Sequence, residues 1–148
     1  MSTELFACRQ MSLADYPEVI DLMRRSPGVS VRDADSAAAI GRYLERNPGL
    51  SFVAEREGKI IGCVMGGHDG RRGYLYHLAV APDCRRLGIG RALVGHALAA
   101  LAGLGIYKAH IDVYRDNGEG RAFWAAMGWQ RRDELDRYSV ISGGGANA

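Results

Sequence analysis

Apolar residues recur along this chain in two rhythms, and the switches between them predict a mixed α/β domain. The run from Leu5 to Arg9 reads as a first strand, and Ser12-Leu13-Ala14-Asp15 offers a helix start, a capping residue followed three places later by an acid. That helix runs toward Arg25 with Tyr16, Val19, Ile20 and Met23 on its buried face, and Pro27-Gly28 breaks it. A second helix starts at Asp33, Asp35 or Ser36, carries Ala39, Ile40, Tyr43 and Leu44 inward, and stops at Asn47-Pro48-Gly49. Strands are predicted over Leu50–Glu55, Lys59–Gly67 and Tyr74–Val80. A turn at Glu57-Gly58 joins the first two and the glycine-flanked loop His68 to Gly73 the last two, giving an antiparallel meander.

The helical rhythm returns from about Gly90 to Ala102, with Leu93, Ala97 and Leu101 spaced by four and Gly103 and Gly105 as the stop. A strand over Ala109–Tyr114 follows. Tyr74–Val80, this helix and Ala109–Tyr114 therefore make a strand–helix–strand unit, whose strands are expected to be parallel and right-handed in connection. A short helix over Gly118–Met127 ends at Gly128, and Trp129 to Ile141 is expected to supply two more strands. Residues 1–142 then form a single domain, and residues 143–148, with little to bury, are expected to form a flexible tail.

Composition narrows the class. At 148 residues and 47% hydrophobic, the chain buries a core without disulfides or a structural metal. Its net charge of +2 comes from nearly balanced, scattered charges, so no nucleic-acid partner is expected. Cys8, Cys63 and Cys84 have no Cys-x-x-Cys spacing and no secretory leader before them, which makes a reducing cytoplasm the expected location. No apolar run approaches the ~20 residues a membrane span needs, and no metal is expected, because the four histidines show no metal-binding spacing.

The chemistry concentrates at Arg85-Arg86-Leu87-Gly88-Ile89-Gly90, between a strand and an apolar helix. A helix start leaves about four backbone N–H groups without intrahelical partners and carries roughly half a positive charge, so it attracts phosphate. Gly88 and Gly90 let that backbone approach an anion, and Arg85, Arg86 and Arg91 add positive charge. The dinucleotide fingerprint does not fit, since Leu93 stands where a third glycine or alanine belongs, and no Walker loop is present.

Arg85, Gly88 and Gly90 fill the three fixed places of the acetyl-CoA signature of the GNAT superfamily of N-acetyltransferases, and the stretch resembles it. The resemblance extends upstream to Leu78-Ala79-Val80-Ala81-Pro82. Downstream it takes in Asn117, Gly120, Phe123-Trp124 and Gly128-Trp129, and it is closest to small free-standing bacterial members and more distantly similar to those acetylating protein N-termini. It implies the GNAT fold, a mixed central sheet of six to seven strands with a splayed parallel pair and four helices. It implies an enzyme that moves an acetyl group from acetyl-CoA, a co-substrate, directly to an amine acceptor in a ternary complex. A homodimer stays open, as do longer acyl groups and a non-catalytic acyl-CoA-binding module.

Carried over residue by residue, the resemblance implies that the cofactor arm pairs with the backbone of Leu78, Ala79 and Val80, with the Val80 N–H polarising the thioester. It puts the phosphates on Arg85, Arg86, Leu87, Gly88, Ile89, Gly90 and Arg91, with Asn117 and Trp124 beside the cofactor. Two departures bear on catalysis. Tyr74 and Tyr76 stand where relatives place a glutamate or histidines, and Trp124 stands where many members carry a tyrosine acting as general acid. By strict strand alternation Tyr74, Tyr76 and Leu78 share one face and His77 points the other way, into the core or a supporting role. Tyr76 and Tyr114 are the catalytic candidates, with Asp112, His68 and Asp69 behind them.

Overall fold

In this computed structural model, which describes residues 5–148, five strands form one sheet in chain order. They are β1 (Ala7–Gln10), β2 (Phe52–Arg56), β3 (Lys59–His68), β4 (Gly73–Val80) and β5 (Ala109–Ile111). The first four are antiparallel and β4 pairs with β5 in parallel. Four α-helices complete the chain: α1 (Tyr16–Arg24), α2 (Ala37–Arg46), α3 (Ile89–Gly103) and α4 (Gly118–Ala126). Residues 1–4, where the expected domain begins, lie outside the described residues.

Local chemistry accounts for most boundaries. The Ser12 N–H donates to Asp15 Oδ2 at 2.8 Å, and a turn of 3₁₀ helix over Leu13–Asp15 leads into α1. Arg9 clamps the same carboxylate through two nitrogens at 2.7 and 2.8 Å, so the helix start is tied to β1. Ser36 Oγ accepts the Ala39 N–H at the head of α2. Glu57 and Gly58 both have positive φ, 53° and 77°, the mirror-image turn that matches strand twist in a tight hairpin.

The core lies on both faces of the sheet. On one face α1 contributes Val19, Leu22 and Met23; on the other α3 contributes Ile89, Leu93, Val94, Ala97 and Leu101. Close approach is built in at Gly66, where a Cβ would fall 2.2 Å from the Leu50 carbonyl oxygen.

β4 does not run straight. Cys63 pairs with Ala79 and Met65 with Tyr76, so His77 and Leu78 together face Val64 alone, a β-bulge. His77 takes a left-handed backbone, φ 52°. This corrects the expected alternation. Leu75 is buried on the α3 side, and Tyr76 meets Tyr43 of α2 edge-on at 6.3 Å on the other. Past the bulge Leu78 lies near the start of α3, 3.8 Å from where a Gly90 Cβ would sit, while His77 reaches Asp35 in the α1–α2 connection. Tyr76 and His77, adjacent in sequence, thus share the α1–α2 face, and Leu78 does not.

Two further expectations are corrected. The sheet has five strands, not six to seven, because Trp129 to Ile141 forms none. Its charges pair two residues apart, Arg131 with Asp133 and Arg132 with Glu134, and Leu135, Tyr138, Val140 and Ile141 alternate on no common face and stay exposed. β5 ends at Ile111 rather than Tyr114, since β4 turns away at the bulge and leaves residues 112–114 no ladder.

Two glycines separate packing from helix propensity. Gly66→Ala forces backbone apart and is expected to lower stability by about 1–3 kcal/mol. Gly95→Ala, at an exposed position inside α3 with nothing within 4 Å of the new Cβ, is expected to raise it by about 1 kcal/mol. Denaturant unfolding of the two variants checks both signs.

Candidate active site

The parallel pair parts where its sequence changes character. Gly73, Tyr74 and Leu75 pair with Ala109, His110 and Ile111, and there the β4–β5 ladder ends, while β4 continues to Val80. Among the described residues, the edge of β4 from Tyr76 onward faces no strand on that side. Val80 sits opposite Gly62 in β3, and the next pair carries the Ala81 N–H to Ile61 O bond of 2.8 Å. In an antiparallel ladder bonded and non-bonded pairs alternate, so the Val80 N–H points away from β3 into the opening. The sequence resemblance implies a backbone donor at this position.

A 3₁₀ turn, Pro82–Cys84, then carries the chain to the start of α3. Arg86 and Gly88 both have left-handed backbones, φ 65° and 81°. The Ala92 N–H to Gly88 O bond opens the helical ladder, leaving the N–H groups of Ile89, Gly90 and Arg91 ahead of it free of intrahelical partners. No atom lies within 4 Å of a Gly88 Cβ position, so the helix start is open, and Arg86 and Arg91 are exposed beside it. Arg85 is exposed too but spends one nitrogen on Glu119 of α4, at 2.7 Å. Leu87 is half-buried, and Ile89 anchors the cradle in the core.

α4 closes one flank. Asn117 caps it, its Oδ1 accepting the Gly120 N–H at 3.0 Å. Trp124 is buried edge-on between Phe123 at 5.0 Å and Trp129 at 4.6 Å, and Phe123 covers Gly90. Its indole N–H has no described protein partner.

The opposite flank is the α1–α2 connection. Tyr114 donates to or accepts from Ser30 Oγ at 2.8 Å, and Ser30, then Arg32, pull its phenol below the ordinary value. Asp35 is 5% exposed, takes the Arg32 N–H at 2.9 Å and lies 2.8 Å from His77 Nε2. Burial opposes its ionisation, but the bonds from His77 and Arg32 outweigh that and hold the carboxyl below the usual range. A cavity of about 410 Å³ opens here, lined by Tyr16, Arg24, Arg32, Asp33, Asp35 and Ser36. Asn147 from the end of the chain reaches its rim, taking the Asp33 N–H at 3.0 Å.

Tyr76 is 40% exposed, and burial, then the Asp112 carboxylate, raise its phenol above the ordinary value. His68 and Asp69 stay in their own loop, receiving the Gly70 and Arg71 N–H groups, and are not brought to the site. Asp112 pairs with Arg137. The structure brings together His77 and Asp35, which the sequence offered only as a core or supporting residue and as a helix-capping acid; their pairing depends on the bulge, which no periodicity reveals. Burial lifts the Cys63 thiol to about 12, which keeps it protonated. Among the described residues no cluster of His, Cys, Asp and Glu is placed to hold a metal, and no helix is long and apolar enough to cross a membrane.

Comparison with known proteins agrees with this geometry. The chain matches the Acetyltransferase (GNAT) family over residues 16–129. It is 45% identical over 103 residues to an acetyltransferase of Pectobacterium atrosepticum, covering 70% of this chain and 72% of that one. It is 34% identical over 121 residues to an acetyltransferase of Sodalis glossinidius, covering 82% and 84%. The PaiA N-acetyltransferase of Thermoplasma acidophilum, solved with coenzyme A, shares the fold at TM-score 0.78 and 21% identity, covering 90% of this chain and 92% of that one.

The open helix start gives a direct test. Gly88→Val places a branched Cβ on a left-handed backbone at the mouth of the cradle. It is expected to cost about 1–2 kcal/mol of stability and to weaken coenzyme A binding by more than about tenfold, roughly one lost charge-assisted bond. Calorimetric titration with coenzyme A, beside a melting curve, separates the two effects.

Proposed function

The chain is a member of the GNAT acetyltransferase family, and from that premise we propose that it moves an acetyl group from acetyl-CoA directly to a primary amine of a small molecule or peptide, both bound at once. The observation that carries this reading is the parting of β4 from β5 directly ahead of the open start of α3. An amide-rich arm needs unpaired strand edge, and a pyrophosphate needs free N–H groups with cations around them; here the two are consecutive in the chain. In this reading Leu78, Ala79 and Val80 hold the arm, and the segment from Arg85 to Arg91 holds the phosphates. Asn117 positions α4, and Trp124 walls the arm. Acetyl-CoA supplies a thioester whose carbonyl carbon accepts the amine.

The chain's residues do the rest. The outward Val80 N–H polarises the thioester carbonyl, a role in which one lost donor elsewhere costs about 10²–10³ in rate. The acceptor enters from the α1–α2 face, beside the cavity where Asp33 and Asp35 stand among Arg24 and Arg32, a mixed polar lining that offers carboxylate oxygens to an amine. Tyr76, its phenol raised and therefore protonated, orders the acceptor or a water rather than taking a proton. Tyr114, its phenol lowered, stands on the rim opposite and donates toward the leaving sulfur. A thiol has a pKa near ~8.5, so its thiolate departs without full proton transfer, and the tryptophan at 124 costs the reaction little.

The first experiment is release of free coenzyme A from acetyl-CoA with a panel of small amines, amino acids, polyamines and peptides, alongside acetyl-CoA titration. Turnover with one acceptor class is expected; binding without turnover across the panel overturns transfer in favour of a binding module. With that acceptor, Tyr114→Phe is expected to lower kcat by less than about 10²-fold, the lower edge of general-acid contributions. Tyr76→Phe is expected to raise KM for the acceptor and leave acetyl-CoA affinity unchanged. A kcat unmoved by Tyr114→Phe removes that residue from the chemistry.

A further inference from the structure

We propose that His77, oriented by Asp35, is the general base that takes the proton from the acceptor amine. The inference rests on the transfer reading above and names the base that the sequence alone did not supply. Three observations carry it. The bulge puts His77 beside Tyr76 on the α1–α2 face, at the start of the β4 segment that β5 has left. Its Nε2 is 2.8 Å from Asp35 Oδ1, so the imidazole keeps its proton on Nε2 and presents the lone pair of Nδ1. No described group donates to Nδ1, and the ring is one-fifth exposed.

The other histidines do not compete. His68 Nδ1 is used by its own loop, His96 stacks on Phe52, and His110 stacks on Tyr74. His77 also holds a left-handed backbone that a non-glycine residue adopts at a cost of about 1–3 kcal/mol, and such strain concentrates at functional sites.

The step balances. An ammonium acceptor gives one proton to Nδ1 of His77, and the freed nitrogen lone pair forms the C–N bond at the thioester carbonyl carbon. The nitrogen then gives up a second proton to water as the C–S bond breaks and the thiolate leaves with the Tyr114 hydroxyl donating a hydrogen bond to it, while the imidazolium returns its proton to water. Asp35 is a positioning residue, acting through the imidazole and stabilising its charged form. The groups around the ring set its environment. Asp35 lies on Nε2 and Tyr76 beside it; Cys63 of β3 touches the His77 carbonyl at 3.5 Å. Tyr16 of α1 donates to the Asp35 carbonyl, Arg32 gives Asp35 its N–H, and Tyr43 of α2 backs Tyr76, on which Asp112 and Arg137 act.

The first readout needs no acceptor. Proton–nitrogen correlation spectra of the acetyl-CoA-bound protein at neutral pH are expected to show His77 protonated on Nε2, and Asp35→Asn is expected to mix the tautomers. A His77 protonated on Nδ1 overturns the proposal. The second readout is kinetic. Asn tolerates the left-handed backbone, so His77→Asn is expected to fold, to bind acetyl-CoA within about twofold of wild type, and to lose about 10²-fold in kcat/KM for the acceptor. Proton uptake by the base gives wild-type kcat/KM a fall on the acid side; His77→Asn is expected to lack that limb and to recover activity with added imidazole. His77→Gln, which keeps a donor toward Asp35, is expected to behave alike, so loss of activity there is not loss of the tie to Asp35. Either variant retaining wild-type kcat/KM and its acid limb overturns the proposal alone. Wild-type protein that binds acetyl-CoA but transfers to no amine overturns the transfer reading, and this base with it.

Discussion

One extra residue in β4 sets the arrangement of the whole site. A ladder without the bulge would have continued β4 beside β5 and sent His77 into the α3 side of the core. With His77 and Leu78 sharing the place opposite Val64, the strand turns, its pairing with β5 ends at Leu75, and each side chain beyond changes face. Leu78 is delivered to the start of α3, His77 to Asp35, and the Val80 N–H to the opening. Bulges sharpen twist and re-aim side chains at the cost of one unpaired residue. Here that unpaired backbone borders the surface that the proposed co-substrate occupies.

The cradle depends on the bulge through packing. α3 starts where it does because Ile89, Leu93 and Val94 are fully or nearly buried against β3, and Gly90 lies under Phe123 with Leu78 near it. The helix start is thereby aimed along the line where β4 and β5 part. Its free N–H groups and the split edge thus lie in succession, as the proposed reading requires for one extended co-substrate. The left-handed Arg86 and Gly88 turn the chain sharply enough to join them, and each backbone of that hand in a non-glycine residue costs about 1–2 kcal/mol. The packing of α3 sustains that cost.

The parts of this architecture that were legible in sequence rest on local rules. Helix starts at Ser12 and Ser36, the positive-φ turn at Glu57-Gly58, the buried stripe Leu93, Ala97 and Leu101, and the cradle from Arg85 to Gly90 each follow from a few neighbouring residues. What escaped was set at long range. The bulge is a relation between Cys63–Met65 and Tyr76–Ala79, and nothing in Tyr74-Leu75-Tyr76-His77-Leu78 announces where alternation fails. The pairing of His77 with Asp35 spans 42 positions. The segment after Trp129 has strand-forming residues, but Arg131 to Arg137 satisfies its charges locally or on Asp112, and its apolar positions are divided between the two faces a strand would have.

Stability does not explain why a carboxylate only 6% exposed and an imidazole 20% exposed are kept together against this face. Desolvating an ion costs several kcal/mol, and replacing a buried pair by packed apolar residues is commonly neutral or stabilising. The tie between the α1–α2 connection and β4 has other support, since the Tyr16 hydroxyl holds the Asp35 carbonyl at 2.7 Å and Ser30 holds Tyr114 at 2.8 Å. The pair is also asymmetric in a way a structural bond does not require. Asp35 has its second oxygen on the Arg32 N–H and is held ionised, while one nitrogen of His77 is bound and the other left open. A carboxylate that fixes the tautomer of an imidazole with a free lone pair is the arrangement that proton abstraction calls for, and it stands on the face from which, in the proposed reading, the amine approaches.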